Sequence, residues 1–497
     1  MTRYAAPGRV GSVVSCRERY DHFVGGEHVA PAAGGYATAA TPVTGEVFAE
    51  VARGTAEDVD RALDAAHGAA GAWGRTPPAG RAAALAEIAD RVEDHLEALA
   101  VVQAWETGRP VREALAADVP SVVDRFRRLA GALSAGGGTA ALVGDDVVAH
   151  RFPEPLGVVG QLLPRDSPLL VAARVLAPAL AAGNAVVLKP AEHAPVSVHQ
   201  LVDVIADLLP PGVVNVVTGS GAEAGGPLAS SRRVALVAFA GAAGAGRPVL
   251  RHAAGNLVPV LLEPGGRGAE VFLADVAARR DPFLDEALAG FTAFTRNRGG
   301  VCAVPSRVLV QASAYDRFLA DAVDRVGALR PGNPLDTGTA VGAQAGPARL
   351  AAVLAHIDHA RREGARLVRG GERVDLGGEF SGGSYLTPAI LERDTRLPPP
   401  SGEPPGPVVS VSRFDDRDDA VKLVNDTPDV RDAGVWSRDL GAAHRVGRGI
   451  RAARVRVNHA APDGCRPDDD EDHRALLDRF RRTRSLRIGY SAGHGLP

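Results

Sequence analysis

Two residues are of the types that together do covalent chemistry on a carbonyl: Cys302, within Asn297-Arg298-Gly299-Gly300-Val301-Cys302, and Glu263, within Leu261-Leu262-Glu263-Pro264-Gly265-Gly266. A cysteine needs only partial ionisation to attack a carbonyl carbon, and a glutamate on a glycine-softened turn can then activate the water that releases the acyl group. The plainer alternative for a lone cysteine is a small buried apolar residue.

The stretch Asn184-Ala185-Val186-Val187-Leu188-Lys189-Pro190-Ala191-Glu192 sets a lysine and a glutamate just past a short apolar run. If that run is a buried strand, both lie beyond its carboxyl end, where open α/β sheets bind ligands. Lys189 would then hydrogen-bond ribose or phosphate oxygens, and Glu192 would accept from ribose hydroxyls; two solvated loop charges are the alternative. Gly219-Ser220-Gly221 and Gly241-Ala242-Ala243-Gly244-Ala245-Gly246 follow further strand candidates and lead towards helices, where close backbone approach and a helix N-terminus suit a pyrophosphate. Neither matches the spaced G-x-G-x-x-G fingerprint after a first strand, and a chain with 58 glycines also forms such clusters by chance.

Positioning these residues requires an α/β frame. Short apolar, β-branched runs at Leu156–Leu163, Ala185–Leu188, Val213–Val217, Val234–Phe239 and Val258–Leu262 alternate with helical patterns at Pro168–Ala182, Ser197–Leu209 and Gly246–Ala254. Uniformly apolar strands separated by helices predict a doubly wound parallel sheet covered on both faces. Earlier, Thr55–Trp73 and Arg81–Ala100 carry apolar residues at helical spacing. Beyond Gly265 a second alternation begins, with strand candidates Ala269–Leu273, Arg307–Gln311 and Val408–Ser412 and helix candidates Asp316–Leu329 and Leu350–Glu363, so Glu263 is expected at a domain junction. Pro-rich Leu397–Pro407 and acidic Asp468–Asp472 read as loops.

The 497 residues are enough for two or three domains, and 45% hydrophobic with 23% charged residues describe an ordinary globular protein. A net charge of -3 without a long block of like charge argues against nucleic-acid or anionic-membrane partners. Three scattered cysteines, Cys16, Cys302 and Cys465, fit neither a disulfide framework nor a CxxC metal site, so no metal is expected and a cytoplasmic location is. Neither a signal peptide nor a membrane-spanning run is recognised.

Taken together, Asn-x-Gly-x-x-Cys302, Leu262-Glu263-x-Gly265-Gly266, Leu188-Lys189-Pro190-Ala191-Glu192 and Glu154-Pro155-Leu156-Gly157-Val158-Val159-Gly160-Gln161 resemble the aldehyde dehydrogenase superfamily, over about Tyr20 to Ser491. Asp118-Val119-Pro120, Gly332-Asn333-Pro334-Leu335-Asp336, Val341-Gly342-Ala343-Gln344 and Gly434-Val435-Trp436-Ser437-Arg438-Asp439 are similar to the bacterial branch that oxidises acetaldehyde and related short aldehydes. The resemblance implies a Rossmann-type NAD(P)-binding domain (residues 1–139 and 154–264), an α/β catalytic domain (265–475) and an oligomerisation arm (140–153 and 476–497). It implies Cys302 as nucleophile, Glu263 as base, and cofactor contacts at Lys189, Glu192, Gly221, Gly225, Gly241, Ala242 and Glu403, with NAD as cofactor and NADP as the alternative. The segment Leu477–Ser491, with Phe480, Leu486, Ile488 and Tyr490, resembles the family's oligomerisation strand and implies a homodimer or homotetramer.

The chain departs from the pattern at Pro164-Arg165-Asp166-Ser167-Pro168, where the family has an asparagine that donates to the oxyanion. An ionised Asp166 has no proton to give. Losing such a donor costs about 2.7 to 4 kcal/mol in the transition state, and a carboxylate facing an oxyanion adds repulsion. Phe239-Ala240-Gly241-Ala242 lacks the family's hydroxyls, and the late Pro-Phe-Gly-Gly motif is missing between Asn458 and His473. These losses leave a catalytically impaired scaffold or nucleotide-binding subunit as the competing expectation, and cofactor-independent ester hydrolysis as a third.

Overall fold

The structure is a computed structural model that describes residues 2–133, 137–143, 146–300, 304–394, 405–426, 430–460 and 473–489. Cys302, Cys465, Glu403 and the acidic run Asp468–Asp472 lie outside the described residues.

Five of the expected strands form one side of a seven-stranded sheet. Its order is Val260–Pro264, Leu236–Gly241, Val158–Leu162, Ala185–Lys189, Val214–Val216, and then the N-terminal His22–Val24 and Glu27–Val29. The first five run parallel, with Leu162 opposite both Lys189 and Phe239, and Ala240 opposite Glu263. This register brings the ends that carry Leu163, Lys189, Gly241 and Glu263 to one edge of the sheet. With strands spaced about 4.8 Å apart, Lys189 and Glu263 are separated by three spacings, about 14 Å. Alternate side chains enter opposite cores: Val186 and Leu188 pack with the Pro168–Ala182 helix, whereas Ala185 and Val187 pack against Ala62, Leu63 and Ala66. Burial on both faces is what made these strands uniformly apolar.

The helix Pro168–Ala182 has the expected bounds. It ends on Gly183 at φ 95°, and the next residue, Asn184, ties distant segments together. Asn184 Oδ1 accepts from the Gly157 amide at 2.9 Å, and its Nδ2 donates to the Phe480 carbonyl at 2.9 Å. The Arg81–Ala100 pattern instead forms two helices, Pro78–Asp94 and Leu96–Thr107. At the break, His95 Nδ1 hydrogen-bonds the Arg91 carbonyl at 2.8 Å, and such local side-chain bonds compete with the helical ladder.

A second seven-stranded sheet starts at Arg267–Phe272, in the order Arg366–Arg369, Ala389–Glu392, Val408–Phe414, Pro305–Gln311, Arg267–Phe272, Val430–Trp436, Arg454–Val457. It too is covered on both faces, Val308 and Val310 entering one core and Leu309 the other.

A three-stranded sheet joins Thr139–Leu142, Val147–Pro155 and Arg481–Gly489. The C-terminal expectation needs correcting at its start. Leu477 lies in a helix, His473–Asp478, and both Leu477 and Phe480 are buried in the first core, because this part covers the Pro168–Ala182 helix rather than continuing the strand. Leu486 and Ile488 are on the strand and each 46% exposed. Among the described residues no helix is long and apolar enough to cross a membrane.

Candidate active site

The loop that leaves the Val158–Leu162 strand delivers Arg165, Asp166 and Ser167 to the start of the Pro168–Ala182 helix, where Pro168 fits because its missing N–H would have had no partner. Ser167 takes a left-handed conformation, φ 50°. Its Oγ accepts from Asn297 Nδ2 at 3.2 Å and from Arg109 Nη1 rather than capping the helix. Opposite it, Asn297 and Arg298 have φ of 42° and 57°. Three of the five non-glycine residues with positive φ among those described therefore face one another across two loops. Such strain costs about 1 kcal/mol or more per residue and persists where the surroundings enforce it, typically at functional sites.

Arg298 is the centre of this contact, with a relative exposure of 3%. Its Nη2 donates to Asp166 Oδ1 at 3.0 Å and to Asn297 Oδ1 at 2.8 Å, and its Nη1 donates to the Thr107 carbonyl. Burial lowers its pKa to about 10; Asp166 opposes that shift, and Arg165, Arg109 and Arg349 add to it. It stays charged at neutral pH. Arg349 Nη2 lies 3.8 Å from the other Asp166 oxygen. Behind this layer the buried Arg109 pairs with Glu113 at 3.3 Å and Asp118 at 3.1 Å, and Glu113 accepts the Asn297 amide at 2.9 Å. Asp166 is thus paired with a buried guanidinium rather than standing as a lone carboxylate. A Cβ at Gly300 would come within 2.9 Å of Asp166 Cγ, so Asp166 lies against the backbone two residues before Cys302. Cys302 itself lies outside the described residues.

Glu263, near the end of the Val260–Pro264 strand, is about a third exposed and pairs with Arg174 of the Pro168–Ala182 helix at 3.2 Å. Both line a small pocket with Gln161, Val171 and Ala240. One helix thus carries the Asp166 loop at its start and the partner of Glu263 two turns on.

Of the expected cofactor residues, Lys189 ends its strand almost fully buried, and burial lowers its pKa to about 8 against the opposing pull of Glu192. Among the described residues the Lys189 side chain makes no hydrogen bond or ion pair, whereas its carbonyl accepts from the Leu163 amide at 3.0 Å. Glu192 is exposed on the loop that follows. A Cβ on Gly225 would touch Lys189 Cδ at 3.7 Å, which places the Gly221–Gly225 turn beside the lysine. The same turn holds Glu223, gripped by Arg53 at 3.0 and 2.5 Å. Gly241, at φ 153°, turns the chain into Ala242, the N-cap of helix Ala243–Ala254. That helix has no side-chain cap and no acidic residue in its first turn, so its positive end is open to an anion. Glu403 lies outside the described residues. Among the described residues no group of three His, Cys, Asp or Glu is placed to hold a metal.

Sequence reasoning missed Arg298, Arg174 and Arg349. A signal existed for the first: two opposite charges, Asp166 and Arg298, stand in two motifs that the family resemblance assigns to one site.

The double α/β frame thus carries a carboxylate at its sheet edge and a helix start without a side-chain cap. Residues 29–466 match the aldehyde dehydrogenase family, and the chain belongs to that family. It is 54% identical, over the whole of both chains, to a fluoroacetaldehyde dehydrogenase of Streptantibioticus cattleyicolor. It is 52% identical to a probable aldehyde dehydrogenase of Streptomyces coelicolor, over 99% of each chain. Among solved structures it is similar to an indole-3-acetaldehyde dehydrogenase in complex with NAD+, with a TM-score of 0.88 and 32% identity over 96% of this chain and 98% of that one. A betaine aldehyde dehydrogenase from Staphylococcus aureus with NAD+ gives a TM-score of 0.86 at 29% identity, over 94% of each chain.

Proposed function

We propose that this protein oxidises short aliphatic aldehydes to carboxylic acids with NAD+. The observation that carries the reading is full-length identity of 54% to a relative named for fluoroacetaldehyde, a two-carbon aldehyde. Cys302 adds to the aldehyde carbon as thiolate, forming a thiohemiacetal. NAD+, when bound, supplies the hydride acceptor. Loss of hydride leaves a thioester on Cys302, and Glu263 takes a proton from the water that hydrolyses it, freeing the acid and the thiol.

Lys189 and Glu192 would hold the adenosine ribose, the Gly221–Gly225 turn and the helix start at Gly241 and Ala242 the phosphates, and Glu403 the nicotinamide ribose. The carboxylate of Glu192 favours NAD+ over NADP+, because an added 2′-phosphate would meet a like charge. The domain division at about residue 265 is supported by the change of sheet between Pro264 and Arg267. The pairing of Asp166 with Arg298 weighs against the impaired-scaffold reading, since it removes the expected repulsion. Assembly through the C-terminal strand is supported by the exposed Leu486 and Ile488 on a sheet edge.

The test is NADH formation by the purified protein from acetaldehyde and NAD+, abolished in Cys302→Ala. Absence of NADH across a broad panel of aldehydes would overturn the proposal.

A further inference from the structure

Four arginines crowd the region around Asp166, and among the described residues two of them have no carboxylate within hydrogen-bond reach. Arg298 holds Asp166 Oδ1 from the buried side at 3.0 Å, and Arg109 is matched by Glu113 and Asp118. Arg165 and Arg349 remain. They come from separate elements, the loop before the Pro168–Ala182 helix and the first turn of helix Pro347–Arg362. Arg165 uses Nη1 to bind the Ala345 carbonyl at 2.7 Å, which fastens the two elements together. Among the described residues the one carboxylate beside Arg349 is Asp166, at 3.8 Å, beyond hydrogen-bond reach and already held by Arg298. The Pro347–Arg362 helix has no acidic residue in its first turn and adds the positive end of its dipole.

Partly buried guanidinium groups set close together repel one another, and burial lowers the pKa of Arg165, with Asp166 opposing the shift and Arg349 adding to it. An anion between them would relieve that repulsion. A guanidinium presents parallel N–H donors that match a carboxylate, and such charge-assisted bonds are stronger than neutral ones. Asp166 packs on Gly300, two residues before Cys302, so an anion held by Arg165 and Arg349 would lie beside the nucleophile segment.

We propose that Arg165 and Arg349 bind a carboxylate carried by the aldehyde itself, so that the preferred substrates are short aldehyde acids. This rests on the aldehyde oxidation proposed above and names its substrate class. The two arginines act on binding and orientation and take no part in the bond changes, which remain thiolate addition, hydride loss and hydrolysis.

The test compares kcat/KM for succinic semialdehyde with that for butanal, and for glyoxylate with acetaldehyde, in wild type, Arg349→Gln and Arg165→Gln with NAD+ at low ionic strength. The expected preference for the charged member of each pair is on the order of tenfold or more. It should collapse towards one in Arg349→Gln and shrink with added salt. Faster turnover of butanal and acetaldehyde in wild type overturns the inference and leaves the proposed function standing. If neither class is oxidised, the proposed function falls, and the anion site is judged with succinate alone. A rise in melting temperature with succinate that disappears in Arg349→Gln supports the site; no rise in wild type overturns it.

Discussion

Arg298 Nη2 lies 3.0 Å from Asp166 Oδ1, joining a loop of the first sheet to the segment that leads to Cys302 across 132 positions of sequence. Asp166→Asn, which looks in the sequence like a simple restoration of an amide donor, would leave Arg298 buried beside Asn297 Oδ1 and the Thr107 carbonyl without a counter-charge. Breaking one side of such a pair costs up to about 3 kcal/mol at a partly open site. The single variant should melt several degrees below wild type and gain no turnover. Asp166→Asn with Arg298→Gln should recover most of the stability and exceed the single variant in kcat. A single variant as stable as wild type, in a double-mutant cycle read by thermal denaturation, would refute the coupling.

Glu263 tests the release step separately from hydride transfer. Glu263→Gln cannot take a proton from water, and general base catalysis contributes about a hundred- to ten-thousand-fold. Rapid mixing with aldehyde and NAD+ should give a burst of NADH near one per site, followed by a steady rate reduced by at least the lower of those factors. A slow first turnover without a burst would move Glu263 out of the release step.

Lys189 is expected to trade stability for cofactor binding. Its pKa falls from 10.5 to about 8 on folding, so the folded state disfavours the protonated amine. The resulting destabilisation, about 3 kcal/mol for a shift of that size, is fully present below pH 8 and fades as pH rises towards 10.5. Lys189→Met should therefore melt above wild type at pH 7, with the gap closing at alkaline pH. Its KM for NAD+ should rise on the order of tenfold, through loss of a charged donor. In wild type, KM for NAD+ should climb as pH passes 8. Equal melting temperatures at pH 7 would contradict the burial argument.

The strand Arg481–Gly489 exposes Leu486 and Ile488 at the edge of its sheet. Leu486→Lys with Ile488→Lys should shift the particle on gel filtration from an oligomer to a monomer and leave the secondary structure intact. A wild-type protein already monomeric at micromolar concentration would exclude assembly through this edge.

How much of this was legible follows from which interactions are local. The strands at 158–162, 185–189 and 236–241 are readable because burial on both faces leaves them almost wholly apolar, with Gln161 and Lys189 the polar exceptions. Lys189 and Glu263 stand out in the sequence because each closes or nearly closes such a strand. The break at His95 was not, since it depends on which way one imidazole turns. Leu477 and Phe480 resembled strand residues until the Pro168–Ala182 helix was seen beneath them. The pairs Asp166–Arg298 and Glu263–Arg174 lie 132 and 89 positions apart, so neither partner's role is visible without the fold that joins them.

The Pro168–Ala182 helix has 15 residues and spans about 22 Å. One end carries the strained Ser167 and the loop of Asp166; the other runs into Asn184, whose amide holds the Phe480 carbonyl at the root of the C-terminal strand. One continuous helix therefore links the Asp166 loop to the root of the C-terminal strand. A pull on the C-terminal strand would be passed along that helix to the loop that holds Asp166 against Arg298.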